Sequence, residues 1–269
     1  MPPDRPTRHT GGMPTTVTGL VTTPVKGTRV REVPEIELGE RGARGDRAFY
    51  VIDDRGRMVN GKDFKTLQTV VADYDPEAAT LALSFPDGTR AGGEVVHGEP
   101  VATCFFSRPK EATELRGPWS EALSEFFGAP LRLVAANSAV DRGRKGAVSV
   151  VSRASLGRLA GVAHRDAIDG RRFRMLIEVD GIGAHEEDGW LGRRVRIGAA
   201  LVRPQGHVGR CVITTRDPDT AQGDLDTLKL LATYRHKIGT TEPLAFGIHG
   251  EVLEGGRVAL GDPVTVQDG

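Results

Sequence analysis

Gly209-Arg210-Cys211-Val212-Ile213-Thr214-Thr215-Arg216-Asp217-Pro218-Asp219-Thr220 is the stretch on which the reading of this chain turns. The β-branched run Val212–Thr215 predicts extended backbone, because branched side chains suit a pleated surface. Asp217-Pro218-Asp219-Thr220 then predicts an abrupt stop, since proline presets a turn and aspartate bonds back to nearby amides. Cys211 therefore stands at the head of a short strand. If residues 207–213 are extended, His207, Gly209, Cys211 and Ile213 share one face, and Arg210 faces the other way. His207 is then the nearest candidate proton donor, because an imidazole titrates close to neutrality. Gly209 leaves room for a ligand to approach the backbone. A thiolate is both a soft donor and a good nucleophile, so Cys211 is a candidate metal ligand and catalytic group.

On either side, short Val/Ile/Leu-rich runs alternate with glycines, 35 in all, which predicts many strands joined by turns. Strands are expected at 17–25, 48–52, 67–74, 80–85, 89–91, 94–106, 131–135, 175–179, 194–197 and 245–253. Two more follow around 258–260 and 264–266. Asp53-Asp54-Arg55-Gly56 and Phe85-Pro86-Asp87-Gly88 read as tight turns. Three helices are expected. The first covers 118–127, with Trp119, Leu123, Phe126 and Phe127 on one side and Gly128 as its stop. Ser152 caps the second, which runs through Leu159 and ends at Gly161. Asp224 caps the third, with Leu225, Leu228, Leu231 and Ala232 on one face. About a dozen strands to three helices implies a mainly β (α+β) protein, a β-barrel with peripheral helices.

Lysine plus arginine equals aspartate plus glutamate, 36 each, so the formal charge is zero. That balance argues against a general nucleic-acid binder. Arginine is nevertheless clustered at Arg142/Arg144/Lys145, Arg171/Arg172/Arg174 and Arg193/Arg194/Arg196, a pattern that suits a small anion such as a phosphate. Two cysteines make no disulfide framework, which points to a reducing cytoplasm, and Cys104 in its apolar run reads as a packing residue. No apolar run of about 18 residues predicts a membrane span. Residues 1–13 read as a disordered leader, and Met13 as an alternative start. His185-Glu186-Glu187-Asp188 is not read as a metal site, because consecutive residues cannot all face one ion. Asp180-Gly181-Ile182-Gly183 is not a dinucleotide fingerprint, since the third glycine position holds Glu186.

The cysteine motif, followed by a Leu-rich helix ending in Tyr234-Arg235, resembles the signature of the MOSC family, the molybdenum cofactor sulfurase C-terminal domain. This family includes the mitochondrial amidoxime-reducing component proteins and bacterial counterparts with an N-terminal barrel. Pro24-Val25-Lys26, Asp46-Arg47-Ala48-Phe49, Phe173-Arg174, Glu187-Asp188-Gly189-Trp190 and Gly261-Asp262-Pro263-Val264 extend the resemblance nearly end to end. It implies a β-rich N-terminal subdomain over 14–134, a MOSC barrel domain over 135–269, and a pterin-bound molybdenum (molybdopterin) between them. Cys211 inherits the role of metal ligand, and Lys26, Arg47 and Arg174 match positions at or around the pterin phosphate. Gly209 and Arg210 join them from the motif itself. Four positions depart from the family pattern: Gly27 and Gly209 replace serines, Arg144-Lys145-Gly146 replaces a Thr/Ser pair, and Met175-Leu176 replaces Pro-Asn. Lys145 is the candidate cation for the lost hydroxyls. The implied activity is an oxidoreductase that reduces N-hydroxylated or other N–O small molecules. With no cysteine cluster and no dinucleotide motif, its electrons come from a separate reductase. The departures leave two alternatives, metal-free sulfur-transfer or lyase chemistry at Cys211, and a carrier of the cofactor.

Overall fold

In the computed structural model, residues 14–105, 108–137, 143–236 and 238–267 are described; the expected leader and Arg142 lie outside them. Eight strands form one curled sheet in the order Val264–Gln267, Arg194–Ile197, Ala200–Gly209, Ala245–Glu254, Val148–Ser152, Ile177–Asp180, Thr16–Thr22, Arg31–Glu32. Alternate side chains point inward along these strands, as the two-residue period requires, and Val17, Leu20, Val150, Ile177, Val195, Val202 and Ile248 meet in one core. The sheet then closes on itself. The Val17 N–H donates to the Asp262 carbonyl at 2.9 Å, Gly261 N–H to Val17 at 2.8 Å and Val264 N–H to Thr15 at 2.8 Å. Closing an edge in this way is how a barrel satisfies its backbone.

Among the described strands, only Val148–Ser152 and Ile177–Asp180 pair in parallel. A parallel pair needs a crossover, and helix α2 (Arg153–Val162) is part of it. Ser152 caps α2 as expected, its Oγ accepting the Ser155 N–H at 3.1 Å, although the helix runs past Gly161 to Val162.

The N-terminal strands build a second unit. Phe49–Asp53, Leu131–Ala136, Arg108–Arg116 and Val96–Phe105 form a four-stranded sheet, and Val71–Asp75, Thr80–Ser84 and Arg90–Glu94 a three-stranded one. Helix α1 (Trp119–Phe127) presents Trp119 and Leu123, both fully buried, to these sheets, and ends at Gly128 in the left-handed region at φ 63°. The Trp119 indole N–H donates to the Leu81 carbonyl at 3.1 Å, satisfying the one polar atom that this burial removes from water. Gly117 makes the approach possible, since a Cβ there would lie 2.4 Å from the Trp119 ring.

The mainly β fold with three helices is as expected, but three local assignments change. Val212–Thr215 is a 3-10 turn, not a strand. The Thr214 and Thr215 hydroxyls donate to the carbonyls of Cys211 and Val212 at 2.9 and 2.7 Å, and this local bonding outweighs the extended preference of branched side chains. Lys65–Thr69 is likewise a 3-10 turn, so the expected strand at 67–74 begins only at Val71. Helix α3 (Thr227–Tyr234) is capped by Asp226, whose carboxylate accepts the Lys229 N–H at 3.2 Å. Asp224 is drawn instead to Arg172. Cys104 is half-buried rather than a full core residue. Among the described residues, no helix is long and apolar enough to cross a membrane.

Candidate functional site

Cys211 follows the end of the strand Ala200–Gly209, half-buried, and precedes the 3-10 turn. The turn is held from within and from both sides. Internally, the Cys211 carbonyl accepts the Thr214 N–H at 3.1 Å, and the Asp217 carboxylate accepts the N–H groups of Asp219 and Thr220 at 3.1 and 2.8 Å. Those bonds, the Thr220 amide foremost, hold the Asp217 carboxyl below the usual carboxylate range. From the barrel side, the buried Arg172 guanidinium donates to the carbonyls of Thr214 and Arg216 at 3.1 and 3.3 Å while pairing with Asp224 at 2.9 Å. From the N-terminal side, Gln68 donates to the Asp217 carbonyl at 3.2 Å, and the Gly61 carbonyl accepts from Arg216.

A cleft of about 1540 Å³ opens beside Cys211. Among the described residues, eleven lysines and arginines line it against three carboxylates, in a chain whose formal charge is zero. Such a concave concentration of one sign attracts anions.

Lys26, Arg47, Lys145, Arg174, Gly209, Arg210 and Cys211 all line this cleft. Lys26 enters from a turn whose backbone N–H donates to Phe49 at 2.8 Å, with its ammonium 5.4 Å from the Phe105 ring centroid. Arg47 and Arg174 both adopt left-handed backbone, at φ 50° and 55°, which costs a non-glycine residue energy and is concentrated at working sites. The two are tied together, Arg47 Nη2 donating to the Arg174 carbonyl at 3.0 Å. Arg210 donates to the carbonyls of Phe246 and Phe173, each at 2.9 Å, over the face of the Phe173 ring. The Lys145 carbonyl accepts from the His249 imidazole at 2.6 Å.

Two readings of the motif change. His207 does not share the Cys211 face, because the strand register shifts between His207 and Gly209 and the chain then turns. His207 is buried outside the cleft lining. Its Nδ1 accepts the Thr241 N–H at 3.1 Å, leaving Nε2 toward Asp188 at 3.5 Å, and burial pushes its pKa down. Gly209 leaves no room for a ligand on its side-chain face, where a Cβ would meet Glu242 Cβ at 3.1 Å and the Pro243 carbonyl at 3.4 Å. Its glycine serves the packing of that loop.

The arginine clusters divide. Arg171 is spent on Asp169 and Asp219, Arg194 and Arg196 on Glu254, and Arg144 on Glu40. Among the described residues of those clusters, Lys145, Arg172 and Arg174 reach the cleft. His185, Glu187 and Asp188 fold into the barrel wall. Glu187 is fully buried, its Oε1 accepting the Ser152 N–H at 3.1 Å and the Ser155 hydroxyl at 2.8 Å, and burial pushes its pKa up. Sequence reasoning missed Lys62 and Arg172 as site residues. Lys62 stands in an ordinary polar turn, while Arg172 was visible only as one member of a cluster.

Two family models match the chain: the MOSC N-terminal beta barrel domain over residues 14–129 and the MOSC domain over residues 136–265. Mitochondrial amidoxime-reducing component 1 of Xenopus laevis is 26% identical over 292 aligned positions, covering 92% of this chain and 81% of that protein. Mitochondrial amidoxime reducing component 2 of Bos taurus is 26% identical over 93% of this chain and 82% of its own length. Among solved structures, the YUAD protein from Bacillus subtilis aligns with a TM-score of 0.44 at 13% identity, over 94% of this chain and 96% of that one. With both models matched in order around the cysteine motif, and with relatives aligned over most of its length, this chain belongs to the MOSC family.

Proposed function

We propose that the protein is a molybdenum-cofactor oxidoreductase that reduces N-hydroxylated or other N–O small molecules with electrons from a separate donor protein. The carrying observation is a half-buried thiol opening on a strongly cationic cleft lined from both family domains, whose division we propose near residue 134. The residues present fit the group. A cysteine sulfur suits a soft or high-valent metal, and fixed guanidinium and ammonium groups suit a phosphate. Cys211 would hold the metal, while Lys26, Arg47, Arg174 and Lys145 would hold the phosphate. Arg210 lines the same wall. When bound, the cofactor supplies two-electron chemistry at molybdenum.

The reduction consumes two electrons and two protons, breaks the N–O bond and releases water. What this chain supplies is position. The clamped turn fixes the sulfur, and the left-handed pair Arg47 and Arg174 places two guanidinium-bearing residues side by side before any anion arrives. Such preorganisation lowers the reorganisation needed on binding. His207 is too buried to meet substrate directly, so the protons come from solvent in the open cleft. Two free cysteines are consistent with a reducing cytoplasm. The test is elemental analysis of protein expressed in a cofactor-competent host, with turnover of benzamidoxime to benzamidine under a chemical reductant. One molybdenum per chain and formation of the amidine are expected. A metal-free protein that still turns over would move the assignment to thiolate chemistry at Cys211.

A further inference from the structure

The cleft carries more positive charge than one phosphate group uses, and Lys62 is one of the lining cations outside the phosphate set. Lys62 belongs to the turn Asn60-Gly61-Lys62-Asp63, which its own polar groups fix. Asn60 Oδ1 accepts the Lys62 N–H at 2.8 Å, Asp63 Oδ2 accepts the Asn60 N–H at 2.9 Å, and the Asn60 carbonyl accepts the Asp63 N–H at 2.9 Å. This turn lies directly on the Cys211 turn. The Gly61 carbonyl accepts from the buried Arg216 guanidinium, and a Cβ on Gly61 would come within 2.9 Å of Ile213 Cδ1. Lys62 is therefore one residue from a close contact between the two domains, and Cys211 is two residues from it on the other side.

The lysine is exposed and lines the cleft. Its sequence neighbour does not occupy it, because the Asp63 carboxylate turns back onto the Asn60 amide. Among the described residues, no carboxylate forms an ion pair with it. It also carries none of the packing duties of Arg172 or Arg210, which are committed to backbone carbonyls. A turn held by its own polar groups thus presents an ammonium into the cleft that Cys211 also lines, and among the described residues no carboxylate pairs with it. A lysine is a compact point charge on a flexible stem, suited to a carboxylate whose position varies from ligand to ligand.

We infer that Lys62 is a specificity-determining residue that binds an anionic group, a carboxylate, carried by the substrate away from its N–O end. The inference rests on the functional reading above for what that substrate is. It makes the preferred substrates N-hydroxylated compounds bearing a carboxylate, with neutral ones handled less well.

The test is calorimetric titration of the full chain, as purified from a cofactor-competent host, with benzamidoxime and with para-carboxybenzamidoxime. The readout is the ratio of the two affinities. In the unaltered protein the carboxylate compound is expected to bind about fivefold tighter, as for a favourable ion pair at a partly wet site. Lys62→Ala removes the preference, Lys62→Arg retains it, and Lys62→Glu reverses it. Raising the salt to about 0.5 M shrinks it. Equal affinities in the unaltered protein, a preference that survives Lys62→Ala, or no binding of either compound overturns the inference. Molybdenum content and benzamidoxime turnover judge the functional reading separately. A loaded, active enzyme indifferent to the carboxylate sinks only this inference. A metal-free protein with a Lys62-dependent preference sinks only the other.

Discussion

Replacing Arg172 by methionine keeps most of the side-chain volume and removes the guanidinium that holds the Cys211 turn from the barrel side. The side chain is 3% exposed and makes four hydrogen bonds: one to each of the Thr214 and Arg216 carbonyls, at 3.1 and 3.3 Å, and two to Asp224, at 3.1 and 2.9 Å. Breaking a buried pair by deleting one partner costs about 3–5 kcal/mol, because the remaining charge is left without compensation. Asp224 is 29% exposed and keeps Arg165 nearby at 3.4 Å, so water and that second cation recover part of the loss. The low end, about 3 kcal/mol, is therefore expected. For a chain of this size that lowers the melting midpoint by roughly 6–12 °C. The assay is thermal and urea unfolding of the full chain followed by circular dichroism, alongside molybdenum content per chain. Arg172→Lys keeps the charge but loses the fork geometry, and should recover less than half of the loss. A midpoint within about 2 °C of the unaltered protein, with metal loading unchanged, would refute the claim that this guanidinium sets the turn.

Cys211→Ser keeps shape but replaces the soft donor, so molybdenum content should fall at least tenfold while the melting midpoint moves by less than about 1 kcal/mol equivalent, read by elemental analysis and calorimetry. Gly42 sits at φ 110°, and a Cβ there would lie 2.9 Å from the Ala147 carbonyl; Gly42→Ala should cost about 2 kcal/mol in urea unfolding. Burial, with Arg235 adding to it, pushes His185 down from 6.5 to about 4. The unfolded chain therefore takes up a proton that the folded protein refuses. This contribution is fully present above about pH 6.5 and is lost as pH falls toward 4, on the order of 2–3 kcal/mol. Denaturation midpoints across that window should slope with pH in the unaltered protein and flatten in His185→Phe. A slope that persists undiminished in the variant would show that other groups carry it.

The barrel and the three helices were legible because their signals are periodic or involve capping residues: the Trp119 and Leu123 face of α1, Gly128 at its end, Ser152 at the start of α2. The cysteine turn was misjudged where two local preferences compete. Val212 to Thr215 are all β-branched, yet two of them carry hydroxyls that bond back to the chain, and Arg172 pulls on the carbonyls. Strand propensity contains neither influence. The same limit applies to His207. Alternation along a strand predicts its face only while the register holds, and the irregularity after His207 is set by the pairing strand Ala245–Glu254. Asp224 and Asp226 both fit a capping position, and the choice fell to the one that a distant guanidinium did not claim. The candidate cleft was partly legible. Lys26, Arg47, Lys145, Arg174, Arg210 and Cys211 do converge on it, but Lys62 arrives through a turn that only the packing of Gly61 on Ile213 brings close.

The barrel seam joins residues 15–17 to residues 261–264. A ribosome adds about 5–20 residues each second, so the first edge waits roughly 12–50 seconds for a partner that has not yet been synthesised. During that interval the sheet between Phe49 and Ala136 can complete itself, while Thr16–Thr22 is exposed to the crowded interior of the cell with an open side. The nascent chain thus depends on shielding until residues 261–264 have emerged. Chains truncated before Gly261 should yield aggregates instead of a smaller working protein.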